Sequence, residues 1–310
     1  MPLLDVRNLR MYYSTKRGLV KAVDNVSLQL EAGESIGLAG ESGCGKSSLA
    51  YSIMQLLPPA ANIVGGNIYF KGEDLLRKTP REMRDIRWKN VAIVFQGAMN
   101  ALNPVYRVGD QIAEAILEHE DVTKEEAINR AKELLSLVGV DPDRVRSYPH
   151  ELSGGMKQRV MIAMALACKP EFLIADEPTT ALDVIVQAQV LKLIKRLQEQ
   201  LGLTLMLITH DLSVVAEICD HVAVMYAGKI VEMGDIVSLY KDPKHPYTQG
   251  LIGSFPSIKG ERRELVSIPG APPPLLNPPP GCRFHPRCPY AKDICRETVS
   301  YTHLTLPTKA

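Results

Sequence analysis

A glycine-rich stretch near the start of the chain has the spacing of a phosphate-binding loop. The stretch GESGCGKS, residues 40–47, fits the pattern G-x-x-x-x-G-K-[ST] and lies between a short apolar run and a helical pattern. Glycines let successive backbone N–H groups turn toward phosphate oxygens, and the positive end of the following helix adds attraction. We expect Lys46 to reach the β- and γ-phosphates of a nucleotide and the Ser47 hydroxyl to bind magnesium. The loop residues expected to bind ATP are Gly40, Ser42, Gly43, Cys44, Gly45, Lys46, Ser47 and Ser48.

Two adjacent acids follow the apolar run FLIA and form a second candidate for chemistry. A buried strand that ends in this way can deliver one carboxylate to magnesium and another to an attacking water. We therefore expect Asp176 to bind magnesium and Glu177 to orient or deprotonate the water. An apolar run that ends in two acids is a common strand end, so this interpretation depends on the phosphate loop upstream.

Strands and helices alternate around these residues. Apolar runs at residues 34–39, 172–175 and 203–208 are typical of short buried strands. A helical pattern follows the phosphate loop and should end at Pro58. The alternation predicts an α/β fold with a largely parallel sheet.

A further helix is predicted by its start and stop signals. Thr123 and Glu126 have the spacing of a capping box, in which each side chain accepts a hydrogen bond from the other's backbone. Gly139 is placed to end this helix.

Composition excludes several classes of protein. The chain has 36 Lys and Arg against 35 Asp and Glu, which gives no whole-chain case for nucleic acid binding. The 45% hydrophobic and 23% charged content is that of a globular protein. No apolar run approaches the roughly 18 residues that span a bilayer, and the N-terminus lacks the pattern of a secretory signal. We therefore expect a cytoplasmic chain.

The stretch LSGGMKQR, residues 152–159, resembles the signature motif of ATP-binding cassette (ABC) ATPases. It lies between the phosphate loop and Asp176, which is the order of motifs in that family. The resemblance implies that Ser153 and Gly155, with Gly154 between them, contact the γ-phosphate bound by an opposite subunit. Two cassettes would then enclose two ATP molecules head to tail.

Four more positions match motifs of this family. Gln96 resembles the Q-loop residue that senses magnesium and couples to the membrane partner, and His210 resembles the switch histidine that holds the γ-phosphate. Asp183 resembles the D-loop residue at the dimer interface. Tyr13, with Tyr12 as its rival, resembles the aromatic residue that stacks on adenine. The residues expected to take part in catalysis are Glu177, His210, Lys46 and Gln96.

The resemblance also implies a domain organisation. It predicts an α/β P-loop ABC nucleotide-binding domain with an antiparallel β subdomain, a helical signature subdomain and a C-terminal extension. The expected ranges are 1–255 for the cassette, about 100–165 for its helical subdomain, 256–297 for a Pro-rich and Cys-containing extension, and 298–310 for a tail. The last stretch, SYTHLTLPTKA, contains no acidic residue and breaks from the charged pattern before it, so we expect residues 300–310 not to be native.

The sequence from His245 onward indicates the class of cargo. The stretches HPYTQGLIGSFP, IPGAPP and GCRFHPRCPYAKDIC resemble the extension of ATPases that serve dipeptide and oligopeptide importers. This implies two integral membrane permease subunits, a second ABC ATPase in a homo- or heterodimer, and an extracytoplasmic peptide-binding protein. The chain would lie at the cytoplasmic face of the cell membrane. Some relatives with this extension serve nickel or other small solutes, and that alternative stays open.

Other functions of the superfamily fit the sequence less well. A soluble ABC ATPase acting on DNA would carry a long coiled coil between the phosphate loop and the signature, and no heptad run is present. Ribosome-acting relatives usually carry two cassettes in one chain. An iron–sulfur or zinc-binding module without catalysis would not need these ATPase motifs. The C-terminal extension argues against an exporter.

Three clustered cysteines, Cys282, Cys288 and Cys295, need a separate explanation. In such ATPases clustered cysteines can ligate a [4Fe-4S] cluster, since thiolates are the ligands it requires. The expected fourth cysteine after Cys295 is absent, so three alternatives stay open: a fourth ligand lost with an altered C-terminus, zinc held with His285, or free thiols. Our hypothesis is a structural iron–sulfur cluster. The cysteines expected only to pack are Cys44, Cys168 and Cys219.

Overall fold

The computed structural model describes residues 1–97, 101–254 and 268–298, with the backbone of residues 302 and 303. Its strands are β1 (Leu4–Thr15), β2 (Gly18–Leu30), β3 (Ser35–Ala39), β4 (Ala61–Phe70), β5 (Glu73–Asp74), β6 (Val91–Val94), β7 (Phe172–Asp176), β8 (Thr204–Thr209), β9 (His221–Tyr226), β10 (Lys229–Asp235) and β11 (Thr302–His303). Its α-helices are α1 (Lys46–Met54), α2 (Pro80–Ile86), α3 (Val108–His119), α4 (Lys124–Leu137), α5 (Gly154–Ala165), α6 (Val184–Leu201), α7 (Leu212–Ile218), α8 (Ile236–Lys241) and α9 (Pro246–Gly253).

Contacts divide the chain into two compact units. The first unit contains Met1–Glu31, Ser35–Leu76 and Thr209–Ala310, and the second contains Ala32–Glu34 and Arg77–Ile208. Residues 255–267 and 304–310, which include the start of the predicted extension and most of the predicted tail, lie outside the described residues.

The first unit contains an antiparallel sheet with the strand order β2-β1-β4-β5. A register shift interrupts β1 between Val6 and Leu9, and Asn8 takes a φ of 47° there. The irregularity shifts the alternation of inward and outward side chains by one residue. As a result Leu4 and Val6 before it, and Leu9 and Met11 after it, are all buried. This sheet confirms the predicted antiparallel part of the fold.

The first unit also contains the strand that leads into the phosphate loop. All five residues of β3 are buried, and β3 pairs in parallel with β9 from Ile36 to Ala39. Gly37 has no room for a side chain because a Cβ there would overlap Val215 of α7. Helix α1 follows the loop but ends at Met54, where Gln55 adopts a φ of 48°. The prediction that this helix continues to Pro58 is therefore wrong, because a left-handed residue stops it one turn earlier.

The second unit contains three parallel strands, β6, β7 and β8, with β7 in the middle. Every residue of β6, β7 and β8 is buried, which explains why their sequences are continuous apolar runs. Helices α3, α4 and α5 belong to the same unit. The predicted capping box is confirmed at α4, where Thr123 and Glu126 exchange hydrogen bonds with each other's backbone N–H. Gly139 follows the helix with a φ of 72°.

The α/β fold with parallel strands, an antiparallel sheet and a helical part agrees with the predicted fold class. Among the described helices, none is both long and apolar enough to cross a bilayer.

The start of α9 is built around a buried histidine. His245 is 2% exposed, and its Nδ1 accepts a hydrogen bond from the backbone N–H of Tyr247 at 3.1 Å. Its own backbone N–H donates to the buried carboxylate of Glu232 at 3.0 Å. Burial lowers the pKa of His245 to about 4, so the imidazole is neutral in the folded chain at neutral pH.

We expect His245 to make the folded chain less stable in acid. Between pH 6.5 and pH 4 the unfolded chain binds a proton at this imidazole while the folded chain does not, so the free energy of unfolding should fall by up to about 3 kcal/mol. Urea unfolding at a series of pH values measures this loss. His245→Asn keeps an acceptor for the N–H of Tyr247 and should flatten the acid slope, whereas His150→Asn, at an exposed histidine, should not. An identical slope in both variants would contradict the assignment.

Candidate functional site

The phosphate loop depends on glycine at three positions. Gly40, Gly43 and Gly45 have φ angles of 151°, 77° and 108°, which side chains with a Cβ rarely adopt. Two of these glycines also lie against neighbouring backbone: a Cβ at Gly40 would overlap the carbonyl oxygen of Met225, and one at Gly45 would overlap that of Ala22. The loop conformation is thus fixed both by dihedral angle and by space.

The ammonium group of Lys46 lies inside this loop. Its side chain is buried, and Nζ donates to the carbonyl oxygens of Gly40 at 2.7 Å and Glu41 at 3.1 Å. The sulfur of Cys44 lies 3.8 Å from Nζ, and burial raises the pKa of the Cys44 thiol. Helix α1 begins at Lys46 with no acidic residue in its first turn, so its positive end is not neutralised locally. The loop is therefore suited to bind an anion.

Tyr12 and Tyr13 lie in different surroundings although they are neighbours on β1. The hydroxyl of Tyr13 lies 3.1 Å from the hydroxyl of Ser48, at the start of α1. The hydroxyl of Tyr12 donates to Asp24 at 2.6 Å, and burial with this hydrogen bond raises the pKa of Tyr12 to about 12. Only Tyr13 contacts the segment that forms the phosphate loop, which favours it over Tyr12 as the adenine-stacking residue.

In the second unit the predicted water-activating glutamate contacts the predicted Q-loop glutamine. Asp176 is fully buried at the end of β7, and Glu177 follows it with a φ of 43°. The backbone N–H of Glu177 donates to Ile208 at 2.9 Å. Gln96 Nε2 donates to Glu177 Oε2 at 2.8 Å, and the hydroxyl of Thr180 donates to the same oxygen at 3.0 Å. Thr180 is a partner of Glu177 that sequence reasoning missed.

The signature residues and the D-loop residue also lie close together within the second unit. Ser153 is the N-cap of α5, where its hydroxyl accepts a backbone hydrogen bond at 3.3 Å. A Cβ added to Gly155 would lie 2.6 Å from the side chain of Val186 near the start of α6. Asp183 is the N-cap of α6, and its carboxylate accepts from the backbone N–H of Val186 at 3.0 Å. Ser153, Gly154 and Gly155 are thus held at one helix start and beside another.

His210, the predicted switch histidine, belongs to the first unit and follows β8 directly. Its side chain is exposed. The next residue, Asp211, is the N-cap of α7, and its backbone N–H donates to the hydroxyl of Thr209 at 3.1 Å. The backbone on either side of His210 is therefore fixed by hydrogen bonds.

Sequence reasoning missed a second group of residues at the phosphate loop. The carboxylate of Glu41 receives hydrogen bonds from both Nη atoms of Arg287, at 2.8 and 3.0 Å. The backbone N–H of Glu41 donates to the hydroxyl of Tyr247 at 2.9 Å. Arg287 and Tyr247 lie in the stretches that resemble the importer extension, but no local pattern pairs either residue with Glu41.

Cys282, Cys288 and Cys295 are all partly exposed near the C-terminus. Burial raises the pKa of Cys282, and the nearby thiols of Cys295 and Cys288 raise it further. The Nδ1 atom of His285 lies 2.9 Å from the carbonyl oxygen of Cys282. Across the described residues, no group of three or more His, Cys, Asp or Glu side chains is arranged to hold a metal ion. The described residues therefore support neither the iron–sulfur cluster nor the zinc alternative, and no chemistry is assigned to either.

Comparison with known proteins identifies the family. Residues 23–180 match the family model described as ABC transporter, and residues 231–295 match the model described as oligopeptide/dipeptide transporter, C-terminal region. The chain belongs to the ABC transporter family. It is an ATPase built on the ATP-binding cassette of that family.

Curated relatives match nearly the whole ABC chain. The dipeptide transport ATP-binding protein DppD of Bacillus subtilis is 50% identical, with 94% of this chain and 88% of the relative covered. The oligopeptide transport ATP-binding protein OppD of Salmonella typhimurium is 46% identical over the same shares of the two chains, 94% and 88%. Among solved structures, the dimeric bacterial ABC transporter cassette MJ0796 is 28% identical with a TM-score of 0.68, and covers 75% of this chain and 98% of its own.

We expect Tyr13, rather than Tyr12, to stack on the adenine of ATP. Tyr13→Ala should weaken binding of magnesium ATP about tenfold, because loss of stacking between a base and an aromatic ring costs about 1–3 kcal/mol. Tyr13→Phe keeps the ring and should bind within about twofold of the wild type, as should Tyr12→Ala. Calorimetric titration of the full chain measures all three affinities. A loss confined to Tyr12→Ala would reverse the assignment.

Proposed function

We propose that this chain is the ATP-hydrolysing subunit of a membrane ABC importer for di- or oligopeptides. The observation that carries the proposal is the match of residues 231–295 to the C-terminal region of oligopeptide and dipeptide transporters. Relatives named for dipeptide and oligopeptide transport, matched over most of both chains, support the same cargo class. In this proposal residues 1–255 form the cassette and residues 256–297 form the extension.

In this proposal ATP binds at the phosphate loop. Backbone N–H groups of the loop other than that of Glu41 hold the phosphates, and the Lys46 ammonium turns from the loop carbonyl oxygens to phosphate oxygens. The oxygen donors proposed for magnesium, Ser47 and Asp176, are of the chemical type this ion prefers, and Gln96 supplies a third. When bound, magnesium would neutralise charge on the phosphates.

Hydrolysis is assigned to the carboxylate of Glu177. A hydrogen bond from Gln96 and one from Thr180 hold this carboxylate in one orientation. Glu177 orients the attacking water and accepts its proton, Lys46 stabilises charge on the transferred phosphoryl group, and His210 holds the γ-phosphate.

A second cassette completes the proposed site. Ser153, Gly154 and Gly155 would contact the γ-phosphate bound by the partner cassette, since a serine hydroxyl and backbone N–H groups at a helix start suit an anion. The exposed Val184 and Ile185, at 79% and 73% exposure beside Asp183, are apolar surface that a partner cassette would cover. The solved relative MJ0796 is described as a dimer. Homo- and heterodimers both fit this arrangement.

The proposed partners explain how a chain of this kind works at a membrane. Closure of two cassettes on ATP, followed by hydrolysis and product release, would drive two integral membrane permease subunits between their states. An extracytoplasmic peptide-binding protein would deliver the cargo. The chain would lie peripherally at the cytoplasmic face of the cell membrane, with the surface around Gln96 toward the permeases. No nucleic acid partner is proposed.

We expect Glu177→Gln to bind ATP but to lose turnover. Loss of a general base lowers the rate by a factor on the order of 100 to 10,000, whereas the phosphate loop is untouched. The measurements are ATP hydrolysis by the assembled transporter and uptake of a labelled dipeptide and a labelled pentapeptide by source cells whose only gene copy carries the variant. Glu199→Gln, at an exposed glutamate of α6, is the matched control and should behave as wild type.

The outcomes of this experiment separate the parts of the proposal. Loss of both ATP hydrolysis and peptide uptake in Glu177→Gln, but not in Glu199→Gln, would support Glu177 as the general base and peptides as the cargo. Wild-type hydrolysis in Glu177→Gln would show that another residue activates the water. Lost hydrolysis with unchanged uptake of both peptides would contradict peptide cargo and direct the search to nickel and other small solutes.

A further inference from the structure

One residue of the phosphate loop, Glu41, is held through all of its polar groups. Its backbone N–H donates to the hydroxyl of Tyr247 at 2.9 Å, and its carbonyl oxygen accepts from the ammonium of Lys46 at 3.1 Å. Its carboxylate receives paired hydrogen bonds from Arg287 at 2.8 and 3.0 Å. Two of these three partners come from the C-terminal part of the chain, 206 and 246 residues away in sequence.

The guanidinium group of Arg287 is itself fixed. Its side chain is 6% exposed. The Nε atom donates to Pro269 at 2.7 Å, Nη2 donates to Gly270 at 3.2 Å, and Nη1 donates to the hydroxyl of Tyr226 at 3.2 Å. Paired hydrogen bonds between a guanidinium and a carboxylate are stronger and more directional than single neutral ones. The hydrogen bonds to Glu41 raise the pKa of Arg287, so the group stays charged.

An aromatic cluster holds Arg287 in this position. Tyr226 at the end of β9, Tyr247 in α9 and Phe284 are all fully or almost fully buried. Their ring centroids lie 4.5 to 5.4 Å apart, and the guanidinium of Arg287 lies 5.7 Å from the ring of Tyr226. Aromatic rings at such distances prefer offset-stacked or edge-to-face arrangements, and these stabilise the pair beyond the effect of burying its surface.

A second buried arginine secures the same segment. Arg283 donates to the carboxylate of Asp24 on β2 and to the carbonyl oxygen of Ala227. Burial raises the pKa of Asp24, but the hydrogen bond from Tyr12 and the charge of Arg283 outweigh it and leave that pKa below its ordinary value. The segment that carries Arg287 is thus anchored independently of Glu41.

The charge of Glu41 gives these contacts a consequence for nucleotide binding. The carboxylate belongs to a loop whose proposed ligand is a polyanion, so an uncompensated negative charge there would oppose binding. The positive charge of Arg287, paired with Glu41 in a partly buried site, cancels this repulsion between the carboxylate and the nucleotide. The hydrogen bond from the Glu41 N–H to Tyr247 also restrains the loop backbone before the nucleotide arrives. The loop therefore loses less conformational entropy when the nucleotide binds.

We propose that Arg287 and Tyr247 are positioning residues of the nucleotide site: they hold Glu41, and with it the phosphate loop, in the arrangement that binds ATP. Arg287 also cancels the charge of Glu41. The C-terminal extension is thereby a structural part of the ATP site in addition to any role in the importer. The inference rests on ATP binding at the phosphate loop but does not depend on which cargo is transported.

The test compares single and double variants of the full chain. Arg287→Gln should weaken binding of magnesium ATP about tenfold and raise KM by the same factor in the assembled transporter, with kcat within about twofold of the wild type. Adding Glu41→Gln removes the charge that Arg287 no longer cancels, so Arg287→Gln with Glu41→Gln should return to within about threefold of the wild type. Arg296→Gln, at an exposed arginine of the same extension, is the matched control.

A recovery on addition of Glu41→Gln would separate this role from loss of packing, which a second substitution does not repair. Wild-type affinity in Arg287→Gln, or a double variant weaker than the single one, would overturn the inference. If Arg287→Gln does not fold, Tyr247→Phe decides: it keeps the ring and removes the acceptor of the Glu41 N–H, and should weaken ATP binding about threefold. Unchanged affinity in Tyr247→Phe would then overturn it. A wild-type chain without affinity for ATP would instead contradict the proposed nucleotide site.

Discussion

The phosphate loop is held by a buried ammonium group surrounded by backbone carbonyls. Lys46 donates to the carbonyl oxygens of Gly40 and Glu41, and the loop can close around it only because glycines occupy the positions of positive φ. A buried charge of this kind is costly unless it is hydrogen-bonded, so the loop and its lysine stabilise each other. Phosphate oxygens can replace the same carbonyls, which is why a conformation stable without nucleotide is also suited to receive one.

Several of the residues assigned to ATP binding and hydrolysis lie at the ends of strands. Strand β3 ends at the phosphate loop, β7 ends at Asp176 and Glu177, and β8 is followed by His210. In open α/β sheets ligands bind in the crevice outside the carboxyl ends of the strands. The buried apolar strands are therefore what gives these polar residues fixed positions.

Local motifs were predicted from the sequence, and long-range contacts were not. The phosphate loop, the capping box at Thr123 and the strands before Asp176 and His210 each follow from a few neighbouring residues. The early end of α1 depends on one residue, Gln55, whose left-handed conformation no pattern indicated. The resemblance already places Tyr13 ahead of Tyr12, and the contact of Tyr13 with Ser48, which depends on the folded chain, favours the same residue. The pairing of Glu41 with Arg287 joins residues 246 positions apart, and only the folded chain brings them together.

Calorimetric titration of magnesium ATP into the purified full chain, wild type and Lys46→Ala, tests the nucleotide site most directly. Charge-assisted hydrogen bonds contribute about 1.5–3 kcal/mol each, so we expect one site per chain in the wild type and an affinity lower by a factor on the order of 10 to 100 in Lys46→Ala. Equal affinities of the two proteins, or no binding to the wild type, would contradict the assignment of the phosphate loop as the ATP site.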